Sequence, residues 1–245
     1  MTDNDWLVRI RRSADSKIRI VCFPHAGAGP SVFRSWEKLV SSDVELLAVS
    51  LPGREHRICS PFASEAQVLA GVQSALGNMP PLPTCVFGHS FGALLGYEFA
   101  KIGEVDMLIV SGCPPPKNTI SLKPNLDDQT LERMLRSWNR TAAELLECSE
   151  TKELILGCLR DDLNMFERIR RNLPITLNTP IHTIAGVSDR ESDPAVMENW
   201  REHTHRPLTS HVISGGHFFP FDYPRDTVSS IEGAMRSLLL PKSSL

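Results

Sequence analysis

Short runs of apolar, β-branched residues alternate along the chain with segments in which apolar positions recur every three or four residues. That alternation predicts an α/β fold in which a mostly parallel sheet is covered by helices. The apolar runs predict strands over residues 17–23, 44–50, 84–87, 106–111, 181–185 and 210–214. Between them, Phe33, Trp36, Leu39 and Val40 share one face of a helix predicted over 32–41, and further helices are expected over 63–76, 91–101 and 227–240.

The alternation stops after Pro114, Pro115 and Pro116 and resumes only at residue 181. The intervening stretch is not structureless. Leu131, Met134, Leu135 and Trp138 form one apolar stripe at helical spacing, and Ile155, Cys158, Leu159, Leu163 and Phe166 form another. Residues 118–172 therefore read as a helical insertion between two strands. Such an insertion either extends the core or lies over the carboxyl ends of the strands, where open α/β sheets bind ligands. The second placement would make it a lid.

Composition narrows the function classes. The 245 residues are 41% hydrophobic and 22% charged, enough apolar material for one large domain spanning 1–245. A net charge of -3 gives no basic field of the kind that holds nucleic acid. The polar stretch over 1–12 leads into no apolar run, and nowhere do apolar residues continue for the ~18 that a spanning helix needs, so neither signal peptide nor anchor is expected. Cys22, Cys59, Cys85, Cys113, Cys148 and Cys158 are scattered without a CxxC pair, as reduced thiols of a cytoplasmic protein are. His203, His205 and His211 lack the partners that zinc spacings require, so no metal is expected. The glycines of the 23–29 loop fail the dinucleotide spacing because position 32 is Val32, and no cofactor is expected either.

The strongest chemical signal is Gly88-His89-Ser90-Phe91-Gly92, between a predicted strand and a predicted helix. A strand that turns so tightly into a helix strains the residue at its apex and needs glycine two positions to either side, where a side chain would strike backbone. Ser90 is thereby raised above the sheet edge as a candidate nucleophile. A serine hydroxyl is a weak nucleophile at neutral pH and needs a base, which in turn needs a carboxylate to orient it. His217, in Gly215-Gly216-His217-Phe218-Phe219 just past a strand, is the expected base; His89 is a rival that neighbours the nucleophile too closely. Asp189 follows the strand over 181–185 and is the expected acid, while Asp193, preceding Pro194, also reads as the N-cap of a helix. The order Ser, Asp, His is that of the α/β-hydrolase arrangement. Two backbone amides should face the developing oxyanion: that of Phe91, after the nucleophile, and that of Ala26, in the loop Phe23-Pro24-His25-Ala26-Gly27.

Over nearly its whole length the chain resembles the type II thioesterases, stand-alone α/β-hydrolases that serve nonribosomal peptide and polyketide synthases. The resemblance rests on the segments Cys22-Phe23-Pro24-His25-Ala26-Gly27, Leu51-Pro52-Gly53-Arg54-Glu55, Phe87-Gly88-His89-Ser90-Phe91-Gly92-Ala93, Arg160-Asp161-Asp162-Leu163 and Gly215-Gly216-His217-Phe218-Phe219, with Trp36. It implies a Ser90–His217–Asp189 triad, oxyanion amides at Ala26 and Phe91, and a mobile lid over 118–172. It implies hydrolysis of aberrant or stalled acyl groups from the phosphopantetheine arm of an acyl- or peptidyl-carrier protein. The alternatives are a releasing enzyme with narrow chain-length selectivity and an inactive binding protein on the same fold.

The chain departs from the family at Phe91, where Met or Leu is usual, at Asp161, where a small residue is usual, and in the Arg190-Glu191-Ser192 spacer before Asp193-Pro194. Arg168, Arg170 and Arg171 could meet an acidic carrier domain or be a solvated helix face, and Arg54 could brace its own loop. A monomer is expected.

Overall fold

In the strand β2 (Ile18–Phe23) all six residues are buried: Ile18, Ile20 and Cys22 enter one apolar cluster while Val21 and Phe23 enter another. Period-two alternation with both faces covered is what a central strand of a two-sided sheet requires. The structure, a computed structural model, describes residues 5–13, 15–118, 125–138 and 143–238. Among the described residues seven strands form: β1 (Leu7–Arg11), β2, β3 (Val44–Val49), β4 (Thr84–His89), β5 (Met107–Ser111), β6 (Ile181–Gly186) and β7 (Leu208–Ile213). They pair in the order β1-β3-β2-β4-β5-β6-β7, with β1 antiparallel to β3 and every other pair parallel.

After β2 the chain moves outward to β3, then returns to place β4 on the opposite side and continues in that direction. The loops leaving β2 and β4 therefore diverge, opening a crevice at the carboxyl ends of those two strands. Helices α1 (Glu65–Gly77) and α2 (Phe91–Ile102) pack into the cluster of Val21 and Phe23, with Val68, Val72, Leu95 and Phe99 buried together with Val86. A capping box between Ser64 and Gln67 starts α1. On the other face, Val228 and Ile231 meet Phe33, Trp36 and Phe87.

Three elements stand out against the sequence expectations. Strand β1 is an addition, and the stretch expected as a helix over 32–41 is a 3-10 helix over Pro30–Trp36. The final helix, expected over 227–240, runs over Pro224–Met235 with a 3-10 turn to Leu238; positions 239 and 240 lie outside the described residues.

The 118–172 stretch holds α3 (Asp128–Trp138), α4 (Ala143–Glu147) and α5 (Ser149–Ile169), and its positions 119–124 and 139–142 lie outside the described residues. Both predicted stripes face inward. Leu131 and Leu135 of α3, with Leu156, Leu159 and Leu163 of α5, join the cluster that contains α2. No helix among the described residues is long and apolar enough to cross a membrane.

Candidate active site

The turn from β4 into α2 has the strain its sequence foretold. Ser90 sits at φ 54°, ψ -120°, a conformation that L residues avoid. A Cβ on Gly88 would lie 2.1 Å from the Gly92 carbonyl oxygen, and one on Gly92 would lie 2.2 Å from that of Phe23. Backbone is thus packed on backbone on both sides of the apex. The Ser90 amide donates to the Ser111 carbonyl at 2.9 Å, which ties the apex to the end of β5. Phe91 is the first residue of α2, so its amide is one of the unpaired donors at the helix start.

At the neighbouring strand ends, the Ser188 amide donates to the Gly215 carbonyl at 2.9 Å and joins the loop after β6 to the loop after β7. That junction brings Asp189 and His217 together: Nδ1 of His217 lies 2.8 Å from Oδ2 of Asp189. Asp189 is 4% exposed. Its Oδ1 accepts from the Glu191 amide at 3.0 Å and its Oδ2 from the Ser192 hydroxyl. Burial by itself would raise the Asp189 carboxyl, but the bond and charge of His217, with the Ser192 and Glu191 donors, outweigh it and hold the group below the usual carboxylate range.

Asp193 is engaged elsewhere. Its Oδ1 accepts from the Ala195 and Val196 amides at 2.9 and 3.1 Å, capping α6 (Pro194–Met197) with Pro194 in the first turn. His89 is fully buried, with its Nδ1 3.1 Å from the Ser111 hydroxyl.

Ser90, His217, Ala26 and Phe91 all line one cavity of about 120 Å³ at the crevice between the diverging loops. Its remaining walls are mostly apolar. Met134 and Trp138 come from α3, Leu163 and Phe166 from α5, and Cys113 and Pro114 from the loop after β5. The Trp138 and Phe218 rings meet edge to face at 5.7 Å, so α3 rests on the loop that carries His217. Helices α3 and α5 thus contribute Leu131, Leu135, Leu156, Leu159 and Leu163 to the core, and Met134, Trp138, Leu163 and Phe166 to the cavity wall.

The sequence reading missed several residues that shape the site. Ser192 and the Glu191 amide hold Asp189 from within the spacer that had marked a departure from the family pattern. Arg54 does not act only within its own loop: it is buried and forms a bidentate ion pair with Asp162 of α5, at 2.6 and 2.9 Å. Arg170 and Arg171 bond Glu167 of the same helix at 2.8 and 3.4 Å, so their charges are partly matched in place.

The parallel sheet, the reversal of strand order and a strained serine at its carboxyl edge define an α/β-hydrolase. Over residues 18–235 the sequence matches the thioesterase domain model, and the chain belongs to that family of hydrolases acting on thioesters. It is 29% identical to the gramicidin S biosynthesis protein GrsT of Aneurinibacillus migulanus, over 98% of this chain and 97% of that one. It is 31% identical to the thioesterase PikA5 of Streptomyces venezuelae, over 87% of this chain and 79% of that one. Among solved structures, the type II thioesterase BorB from the borrelidin biosynthetic cluster superimposes with a TM-score of 0.83 at 26% identity, covering 96% of this chain and 99% of that one.

Proposed function

We propose that the protein is an editing thioesterase that hydrolyses acyl groups from the phosphopantetheine arm of carrier proteins in a nonribosomal peptide or polyketide pathway. One observation carries the reading: a serine on a strained elbow and a histidine bonded to a buried aspartate open onto the same apolar cavity. The similarity to GrsT, a gramicidin S biosynthesis protein, and to BorB, a type II thioesterase of the borrelidin cluster, supports the pathway.

In this reading Ser90 Oγ attacks the thioester carbonyl carbon while Nε2 of His217 takes its proton. Asp189 accepts from Nδ1, which fixes the tautomer and stabilises the imidazolium. The Ala26 and Phe91 amides donate to the oxyanion. The C–S bond then breaks, and the pantetheine thiol leaves with the proton from His217. Water, deprotonated by the same imidazole, attacks the acyl-serine; the C–O bond breaks and the proton returns to Ser90. A thioester carbonyl has weak resonance and a thiolate leaves readily, so this machinery needs no metal.

The apolar walls supplied by the lid would receive the acyl chain without polar readout of its identity. Turnover measured on carrier-bound acetyl, branched and long-chain acyl groups tests editing against release. Editing predicts slow rates that stay within about tenfold of one another. Selectivity of roughly a hundredfold or more for one chain would instead establish a releasing enzyme, since a fitted pocket gains about 1–3 kcal/mol per methylene.

A further inference from the structure

Asp162 of α5 is 1% exposed and Arg54 is 6% exposed, and their pairing reaches into the loop after β2. Asp162 Oδ2 accepts from the Gly27 amide at 2.8 Å as well as from Arg54 Nη1 at 2.6 Å. The same Nη1 donates to the Ala28 carbonyl at 3.1 Å, and Nε donates to the Pro52 carbonyl at 3.3 Å. One turn earlier on α5, the Cys158 thiol donates to the Gly53 carbonyl at 2.8 Å. A lid helix and two core loops therefore meet at one buried charge pair.

Stability is a weak reason for such a pair, because desolvating two ions consumes most of their attraction and apolar replacements often serve as well. What the pair does that an apolar contact would not is orient peptide planes. The turn it grips is closed by the Ala28 amide donating to the His25 carbonyl at 3.1 Å and passes through Gly27 at φ +76°, a conformation open to few residues besides glycine. Asp162 holds the Gly27 amide, which belongs to the peptide that follows Ala26, and Arg54 holds the Ala28 carbonyl, so the two grip the turn immediately after Ala26. Ala26 itself lines the cavity beside Ser90.

We infer that Arg54 and Asp162 are positioning residues: from the lid helix they set the turn over 26–28 so that the Ala26 amide faces the oxyanion, and the oxyanion hole is complete only when α5 is seated on the core. The inference rests on the proposed roles of Ser90 and Ala26. Seating of α5 then switches on turnover as well as covering the acyl group.

The test uses the full chain with an acyl-pantetheine substrate and compares Arg54→Met/Asp162→Leu, which removes both charges together, with Asp162→Asn, which keeps shape and an acceptor. Ser90→Ala runs alongside. The double variant should melt cooperatively close to the parent while kcat falls about a hundredfold and KM stays within about threefold, the mark of an interaction made in the transition state. Asp162→Asn should lose about tenfold in kcat. A folded double variant with kcat within about twofold of the parent, or one whose KM alone rises, overturns the inference. Should the double variant fail to fold, a kcat for Asp162→Asn within about twofold of the parent overturns it equally. If Ser90→Ala turns over like the parent, the nucleophile reading fails first and the positioning role falls with it; a Ser90-dependent parent with indifferent clamp variants rejects the clamp alone.

Discussion

The floor and the roof of the cavity are held by different forces. On the floor, loops from the ends of β2, β4 and β6 bring Ala26, Ser90 and Asp189 to the crevice, and their paths are set by backbone against backbone: Gly92 against the Phe23 carbonyl, the Ser90 amide on Ser111, the Ser188 amide on Gly215. On the roof, α3 and α5 reach the same space with side chains alone, through Trp138 on Phe218, Leu163 and Phe166 at the wall, and Asp162 on Arg54. Backbone contacts leave almost no room for substitution, whereas side-chain contacts can be exchanged one at a time. Under the proposed function the floor carries the reacting groups, and the side chains of the roof shape the space offered to the acyl group.

The largest effect should come from the floor's acid. Asp189→Asn should lower kcat about ten-thousandfold by leaving His217 in the wrong tautomer, while Asp193→Asn, which still caps α6, should change it only a few-fold. Steady-state kinetics on one acyl-pantetheine separates the two, and a greater loss at Asp193 would reverse the assignment.

Two glycines sharpen the contrast further. Gly92→Ala forces a methyl to within 2.2 Å of a carbonyl oxygen and should cost about 3 kcal/mol or more, with the elbow displaced. Gly157→Ala on α5 meets nothing within 4 Å and should stabilise the helix by about 0.5–1 kcal/mol. Denaturant melts of both variants measure this; a tolerant Gly92 would show that the floor is not backbone-limited.

Much of the floor was legible in the sequence because its constraint is local. The five residues over 88–92 contain both the strained apex and the glycines that permit it, and Asp193-Pro194 carries its own capping signature. Strand β1 was hidden because Leu7–Arg11 interleaves arginines with its apolar residues; Arg9 pairs with Glu45, and Nη1 of Arg11 donates to the Val40 carbonyl, contacts that exist only once β3 is beside it. The helix expected over 32–41 is a 3-10 helix whose buried Phe33 and Trp36 stand three residues apart, a spacing that suits its tighter winding as well as an α-helix. The pairing of Arg54 with Asp162 could not be read because 108 positions separate the partners and neither has a local reason to be buried.

The role of Ser90 is tested most directly by mixing the protein with an acyl-loaded carrier, quenching at early times and weighing the intact chain and its peptides. A transient gain of one acyl mass is expected on the peptide containing Ser90, absent from the Ser90→Ala protein, whose turnover is lost. An acyl group found on another residue, or undiminished hydrolysis by Ser90→Ala, would contradict that role.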